Sequence, residues 1–176
     1  MVLSDIDITK AVEAGELGIV PFDPAMIKAA SYTVTLGPKL LVPKTVKPGT
    51  VIDPEAASAE YDEIELEKEG YALAPHMLVL GSTAEKISVG NTLRARFDAR
   101  TSLARIGLNA LQGSTHIEPG QHDSYETLEI CNIGQAPVLL MPGMKIAKLI
   151  FERLETPANA GYQGRYSAQA DGRVRY

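Results

Sequence analysis

From residue 31 onward the apolar positions come in short runs, and turn-forming residues separate them. Residues 32–36 are a β-branched run closed by Gly37 and Pro38, and residues 40–42 a second run closed by Pro43. Further runs fall at 51–52, 64–66, 71–80, 93–99, 127–131, 137–141 and 145–151. Each is bounded by Gly, Pro or Asp, the usual punctuation of strands. Short strands spaced about ten residues apart predict an all-β fold, a β-barrel or jelly roll. The first 30 residues read as helical. Ser4 and Asp7 form a candidate capping box, and Ile6, Ile8, Ala11, Val12 and Leu17 follow at roughly helical spacing until Gly15 and Gly18 end the pattern. Asp23-Pro24 is a second start signal, predicting a short helix through Ala30. Residues 43–63 read as a surface excursion. From Thr156 the chain is polar and has no apolar period. The expected organisation is therefore a barrel domain with short N-terminal helices over 1–155 and a C-terminal tail over 156–176.

Composition narrows the class. The chain has 176 residues, 45% hydrophobic and 22% charged, which suits one globular domain with a full core. No apolar run approaches the ~18 residues of a membrane span. No signal peptide is read at the N-terminus. The single cysteine, Cys131, cannot close an internal disulfide, so a reducing, cytoplasmic setting is expected. It also excludes a Cys-x-x-Cys zinc site, and it reads as a small buried residue. The net charge of −5 disfavours nonspecific nucleic-acid binding. Any polyanion site must concentrate its positive charge locally. No phosphate-loop or Rossmann glycine motif occurs.

Such a concentration exists. Arg94, Arg96, Arg100 and Arg105 fall within the run LRARFDARTSLARIGL, with Thr101 and Ser102 between the last two. Strand alternation predicts Arg94, Arg96 and Arg100 on one face. Guanidinium forks beside hydroxyls suit phosphate oxygens, although a salt-bridged barrel face would look the same. A polar run with His116 and Glu118 leads to a turn at Pro119-Gly120, which is either part of a site or an ordinary hairpin turn. In 127–132, Thr127, Glu129 and Cys131 share one face, and Leu128 and Ile130 the other. A glutamate in an apolar strand is costly to bury ionised, so its pKa should rise, as proton shuttling requires. The alternative is an edge-strand glutamate facing water. Tyr162, Arg165, Tyr166 and Gln169, with Arg173 and Arg175 beyond, could form an arm closing over a phosphate, or simply a loose terminus. His76 and His122 have no metal-ligand spacing, and Met141 and Met144 read as packing.

Taken in order, these segments resemble the dCTP deaminase branch of the dCTP deaminase/dUTPase superfamily. LSDIDITKAVEAGELGIVPF is similar to the family's N-terminal helix and following segment, AASYTVTLG to its Ser-Tyr-Asp-Leu-x-Leu-Gly strand, and LVLGSTAEKI to its Leu-Gly-x-Thr-x-Glu stretch. RTSLARIGL resembles Arg-Ser-Ser-Leu-x-Arg-x-Gly-Leu, HIEPG the Ile-Asp-Pro-Gly turn, TLEICNIG the Thr-Leu-Glu-x-x-Asn-x-Gly strand, and PGMKIAKLIFERL the Pro-Gly-Met strand. RYSAQADGRVRY is a looser match to the tail.

The resemblance implies a distorted, dUTPase-like β-barrel jelly roll that assembles as a homotrimer (a hexamer is the alternative) with sites at subunit interfaces. It implies hydrolytic deamination of dCTP to dUTP and ammonia, with Mg²⁺ carried by the triphosphate and dTTP as an inhibitor. No nucleic acid or membrane partner is implied. Glu129 falls on the catalytic glutamate. Thr101, Arg105 and Ser114 fall on positions that organise the attacking water. Arg100, Ser102, Leu103 and Ala104 fall on the substrate-binding stretch, Glu118 near the sugar, and Thr127 and Leu128 beside the base. Lys148 falls where glutamine is common, and Tyr162, Arg165, Tyr166 and Gln169 on the closing tail. Zinc deaminases need His and Cys ligands that this chain cannot supply, so a carboxylate must activate the water. Departures from the pattern are Thr101 for Ser, Glu118 for Asp, Thr33 for Asp, His116 for Arg or an aromatic residue, and one extra residue between Pro119 and Leu128. The aspartate that Glu118 replaces activates water in the dUTPase relatives, which weighs against pyrophosphate release. Two rival readings are a dUTPase or bifunctional enzyme, and a non-catalytic nucleotide-binding trimer.

Overall fold

The computed structural model describes residues 1–45, 47, 49–53, 60–111 and 113–163. Helix α1, Asp5–Glu13, begins on the expected capping box: the Ser4 hydroxyl accepts from the Asp7 N–H, and the Asp7 carboxylate accepts from the Ser4 N–H. Gly15, at φ +72°, ends it. Ile8 and Ala11 face the core.

The rest of the predicted N-terminal helix is strand. Residues Leu17–Val20 form β1, which pairs antiparallel with β6 (Leu78–Val89) from Leu17↔Val89 to Val20↔Lys86. Leu17 and Ile19 are both buried with period two, and this nonlocal pairing outweighs the local helical spacing. The second helix is also a correction. Asp23 caps only a 3₁₀ turn, Pro24–Met26, before β2, Ile27–Lys28.

The remaining elements are β3 (Ser31–Pro43), β4 (Tyr61–Glu65), β5 (Tyr71–Leu73), β7 (Leu93–Ala99), α2 (Thr101–Ala104), β8 (Leu108–Asn109), β9 (His116–Ile117), β10 (Ser124–Asn132), β11 (Val138–Leu140) and β12 (Lys145–Arg153). One curled sheet runs β8-β10-β6-β3-β12-β7-β9, with β1 on β6 and β2 and β4 on β3. A two-stranded sheet, β5 and β11, lies apart from it. The predicted all-β architecture is what forms. Two runs divide differently from the sequence reading. Residues 32–42 are one strand, because the register with β6 slips between Leu36 and Leu40 and carries the chain past Gly37-Pro38. Residues 71–80 are two strands, broken at His76, whose φ is +62°. Part of the expected excursion is β4, while residues 51–52 form no strand.

Register assigns the faces. Leu128, Gly81 and Leu40 stand side by side across β10, β6 and β3, and the two leucines are fully buried. One residue on, Glu129, Leu80 and Leu41 line up on the opposite face. Each fully buried Leu or Ile contributes about 1.5–3 kcal/mol.

After α2, Gly107 adopts φ +83°, and a Cβ there would stand 2.5 Å from the Gly134 backbone. Gly107→Ala is expected to cost at least about 2 kcal/mol, from left-handed strain plus the clash. Thermal melting should show a Tm lower by roughly 4–8 °C. An unchanged Tm would mean that this backbone contact is slack.

Candidate active site

Glu129 lies in the middle of β10. On one side it is opposite Leu80 of β6. On the other side β8 pairs only with Cys131 and Asn132, so the segment at Gly113 covers the carboxyl instead. A Cβ on Gly113 would sit 3.6 Å from both Cδ and Oε2 of Glu129. Oε2 is buried and has no hydrogen-bond partner among the described residues. Burial raises the Glu129 pKa above the ordinary carboxylate value, and backbone N–H groups of Glu129 itself, Gly113 and Ser114 offset part of that rise. The glutamate is therefore not the water-facing edge residue of the alternative reading. Cys131, two residues on, is half-buried rather than buried.

The lower end of β10 is fixed by Asn132, which is fully buried. Its Nδ2 donates to the carbonyls of Leu73 and Ala136, each at 2.9 Å, and its Oδ1 accepts from the Gly134 N–H at 2.9 Å. The sequence reading gave Asn132 no role. An amide two residues before a glycine at the end of an apolar strand was the available signal.

The arginine cluster divides. Arg94 and Arg96 both pair with Glu152 of β12, Arg94 Nε at 2.6 Å and Arg96 Nε at 3.5 Å, as a salt-bridged sheet face would. Arg100 lies just past the end of β7, where strand alternation no longer fixes its face. It is the N-cap residue of α2, and its guanidinium donates to the Lys145 carbonyl at 2.6 Å. Thr101, Ser102, Ala104 and Arg105 are exposed, and Leu103 is half-buried against the core. α2 packs chiefly on β8. Within one chain, then, the hydroxyls of 101 and 102 stand open to solvent while the Glu129 carboxyl is enclosed.

Glu118 is exposed, and His116 Nε2 lies 3.3 Å from its Oε2. The turn after it is anchored by the Gly120 N–H to the Val89 carbonyl at 2.8 Å. It carries the start of the last segment: the Tyr162 N–H donates to the Pro119 carbonyl at 3.0 Å. Ser114 is exposed and Thr127 half-buried on the Glu129 face. Leu128 is a correction. Its side chain is 0% exposed and points into the core, which leaves only its backbone for a ligand. Lys148 lies on β12, opposite Thr33 and Asp98, three strands along the sheet from Glu129. Arg165, Tyr166 and Gln169 lie outside the described residues. No cluster of His, Cys, Asp or Glu among the described residues could hold a metal ion. No helix among them is long and apolar enough to cross a membrane.

Comparison with known proteins adds three findings. The family model described as dCTP deaminase-like matches residues 2–154. A "dCTP deaminase, dUMP-forming" of Corynebacterium glutamicum (strain R) is 37% identical over 175 residues, covering 98% of this chain and 92% of that protein. One of Salinispora arenicola is 37% identical over 176 residues, covering 96% and 91%. The crystal structure of 2'-deoxycytidine 5'-triphosphate deaminase from Agrobacterium tumefaciens superposes with a TM-score of 0.65 at 19% identity. It covers 85% of this chain and 47% of that one, and it supports the fold alone. A match across almost the whole barrel, together with relatives aligned nearly end to end, establishes that this chain belongs to the dCTP deaminase-like family.

Proposed function

We propose that the chain deaminates dCTP hydrolytically, with Glu129 as general acid and base. The observation that carries this reading is the enclosed Glu129 carboxyl, with one oxygen buried and without a hydrogen-bond partner among the described residues, beside a segment that has no side chain at Gly113. A water attacks C4 of the cytosine ring. Glu129 takes its proton and passes it to N3, and a C4–O bond forms. Glu129 then moves the proton of the new C4–OH to N4, and the C4–N4 bond breaks as ammonia leaves and the C4 carbonyl forms. Overall, dCTP and water give dUTP and ammonia. A raised pKa suits a group that must both accept and return a proton near neutrality, and such catalysis contributes roughly 10²–10⁴ in rate.

Thr101, Arg105 and Ser114 orient the water, and Arg100, Ser102 and the backbone of Leu103 and Ala104 hold phosphate oxygens. Thr127 and the Leu128 backbone flank the base, and Glu118 meets the sugar. Lys148, Tyr162, Arg165, Tyr166 and Gln169 complete the substrate contacts. The exposed hydroxyl face of α2 and the enclosed Glu129 come together between neighbouring copies, in a homotrimer. Mg²⁺ enters on the triphosphate: magnesium keeps phosphate and water ligands readily, and the described residues offer no cage of their own.

A second reading is favoured by the names of the relatives, which are dUMP-forming. In it the same chain also releases pyrophosphate, with Glu118 in the place of the water-activating aspartate. Purified protein with dCTP and Mg²⁺ should release one ammonia per dCTP consumed. Pyrophosphate in equal amount selects the dUMP product, and its absence selects dUTP. Binding of dCTP with no ammonia would overturn both readings and leave a nucleotide-binding protein.

A further inference from the structure

Between the Pro119 turn and Glu129 lies a second carboxyl that the fold largely encloses, that of Glu126. The β10–β6 register slips between Tyr125 and Thr127, so Glu126 alone faces residues 83–85. Its N–H donates to the Thr83 hydroxyl at 3.0 Å, and that hydroxyl donates to the Glu85 carbonyl at 2.7 Å. Its Oε1 accepts from Gln121 Nε2 at 2.6 Å. Thr83, Ser124 and Gln121 are all buried. Gln121 directly follows the turn: its carbonyl accepts from the Val89 N–H at 2.7 Å, as the Gly120 N–H donates to the Val89 carbonyl. Gly120 in turn packs against Gly161, where any side chain would collide, and Tyr162 bonds to Pro119.

We propose that Glu126 is a positioning residue, which through Gln121 fixes the Pro119-Gly120 turn and with it the seat of Tyr162. Given the deaminase reading, that turn carries two nucleotide contacts, Glu118 and Tyr162. Glu126 therefore governs nucleotide affinity and leaves the chemistry at Glu129 alone.

The surroundings make this tether sensitive to pH. Burial pushes the Glu126 pKa up to about 7, with the Gln121 and Ser124 hydrogen bonds opposing the rise. Among the described residues no charge compensates it. On β6, Lys86 is engaged by Asp123 at 3.0 Å and lies over the Tyr125 ring, and the Glu85 carboxylate is occupied by the Thr35 N–H and hydroxyl. β1, beyond β6, carries no charged residue. On the turn, Glu118, His122 and Asp123 are exposed. The sign follows from a folded value raised above the ordinary one. The seated turn suffers no penalty below the ordinary carboxylate range, loses stability as pH rises through about 7, and changes no further above it.

Glu126→Gln keeps the shape and the acceptor for Gln121 but cannot ionise. The test measures KM and kcat for dCTP, and hydrogen exchange of the Gly120 and Tyr162 amides without nucleotide, in both proteins at about pH 6 and about pH 8.5. The wild-type/variant KM ratio should rise at least about threefold between the two pH values while the kcat ratio stays flat. The exchange ratio of the two amides should rise in parallel. KM and exchange ratios that ignore pH would overturn the proposal. If neither protein turns over dCTP while the exchange ratio still rises with pH, the positioning role is supported and the deaminase reading fails.

Discussion

Glu129→Gln should reduce ammonia release from dCTP by at least about a thousandfold, within the range spanned by general acid–base catalysis. The amide has the shape of the carboxyl and can still accept from the N–H groups that face it, so the pocket is retained and only proton transfer is lost. Stability provides an internal control. The wild-type carboxyl has a raised pKa because burial disfavours its charge. Its ionisation therefore costs stability as pH climbs out of the ordinary carboxylate range through the raised value. The glutamine has no such cost. The variant should melt at the same temperature as wild type in acid and at a higher one near pH 8. For the same reason the acid limb of the wild-type kcat/KM profile should lie above the ordinary glutamate range. A variant that is inactive because it has unfolded would show the opposite trend in Tm. One that keeps wild-type ammonia release would remove Glu129 from the chemistry.

Asn132→Leu should lower stability more than any other single change considered. It strips three hydrogen bonds from a fully buried side chain: two donated to Leu73 and Ala136, one accepted from Gly134. Each backbone group left unpaired in the interior costs about 1–3 kcal/mol, so a total of about 3–9 kcal/mol is expected. For a chain of this length that is a fall of roughly 6–36 °C in Tm. The damage should also reach the site. Asn132 ends the strand that carries Glu129, and Gly134, which it holds, packs against Gly107 at the exit of α2. Activity below the melting transition should therefore fall together with stability. A Tm within about 2 °C of wild type would mean that water replaces the amide at no cost, against the burial seen here.

Much of this was legible in the sequence where local rules govern. The capping box at Ser4 and Asp7 formed as written, because it needs only four residues. The alternation in 127–132 put Glu129 and Leu128 on opposite faces and located the enclosed carboxyl. What failed was decided elsewhere in the chain. Leu17 and Ile19 fit a helix or a strand equally well until β6 offers a partner edge. Arg100 shares a strand period with Arg96, but the strand stops before it and the chain turns into α2. Leu128 adjoins Glu129 in sequence, yet strand alternation puts it in the core. Glu126 lies just outside the 127–132 run and carries no local signal of its own. The register slip against β6 sets it opposite residues 83–85 and beside Gln121, and no local pattern encodes a slip between strands some 40 residues apart.

The most direct test is a crystal structure of Glu129→Gln with dCTP and Mg²⁺, a complex that binds but does not turn over. The side-chain amide of residue 129 should lie within hydrogen-bond reach of cytosine N3, about 2.6–3.2 Å, with an ordered water facing C4. A cytosine ring held elsewhere on the surface, with packed protein between it and residue 129, would contradict the account.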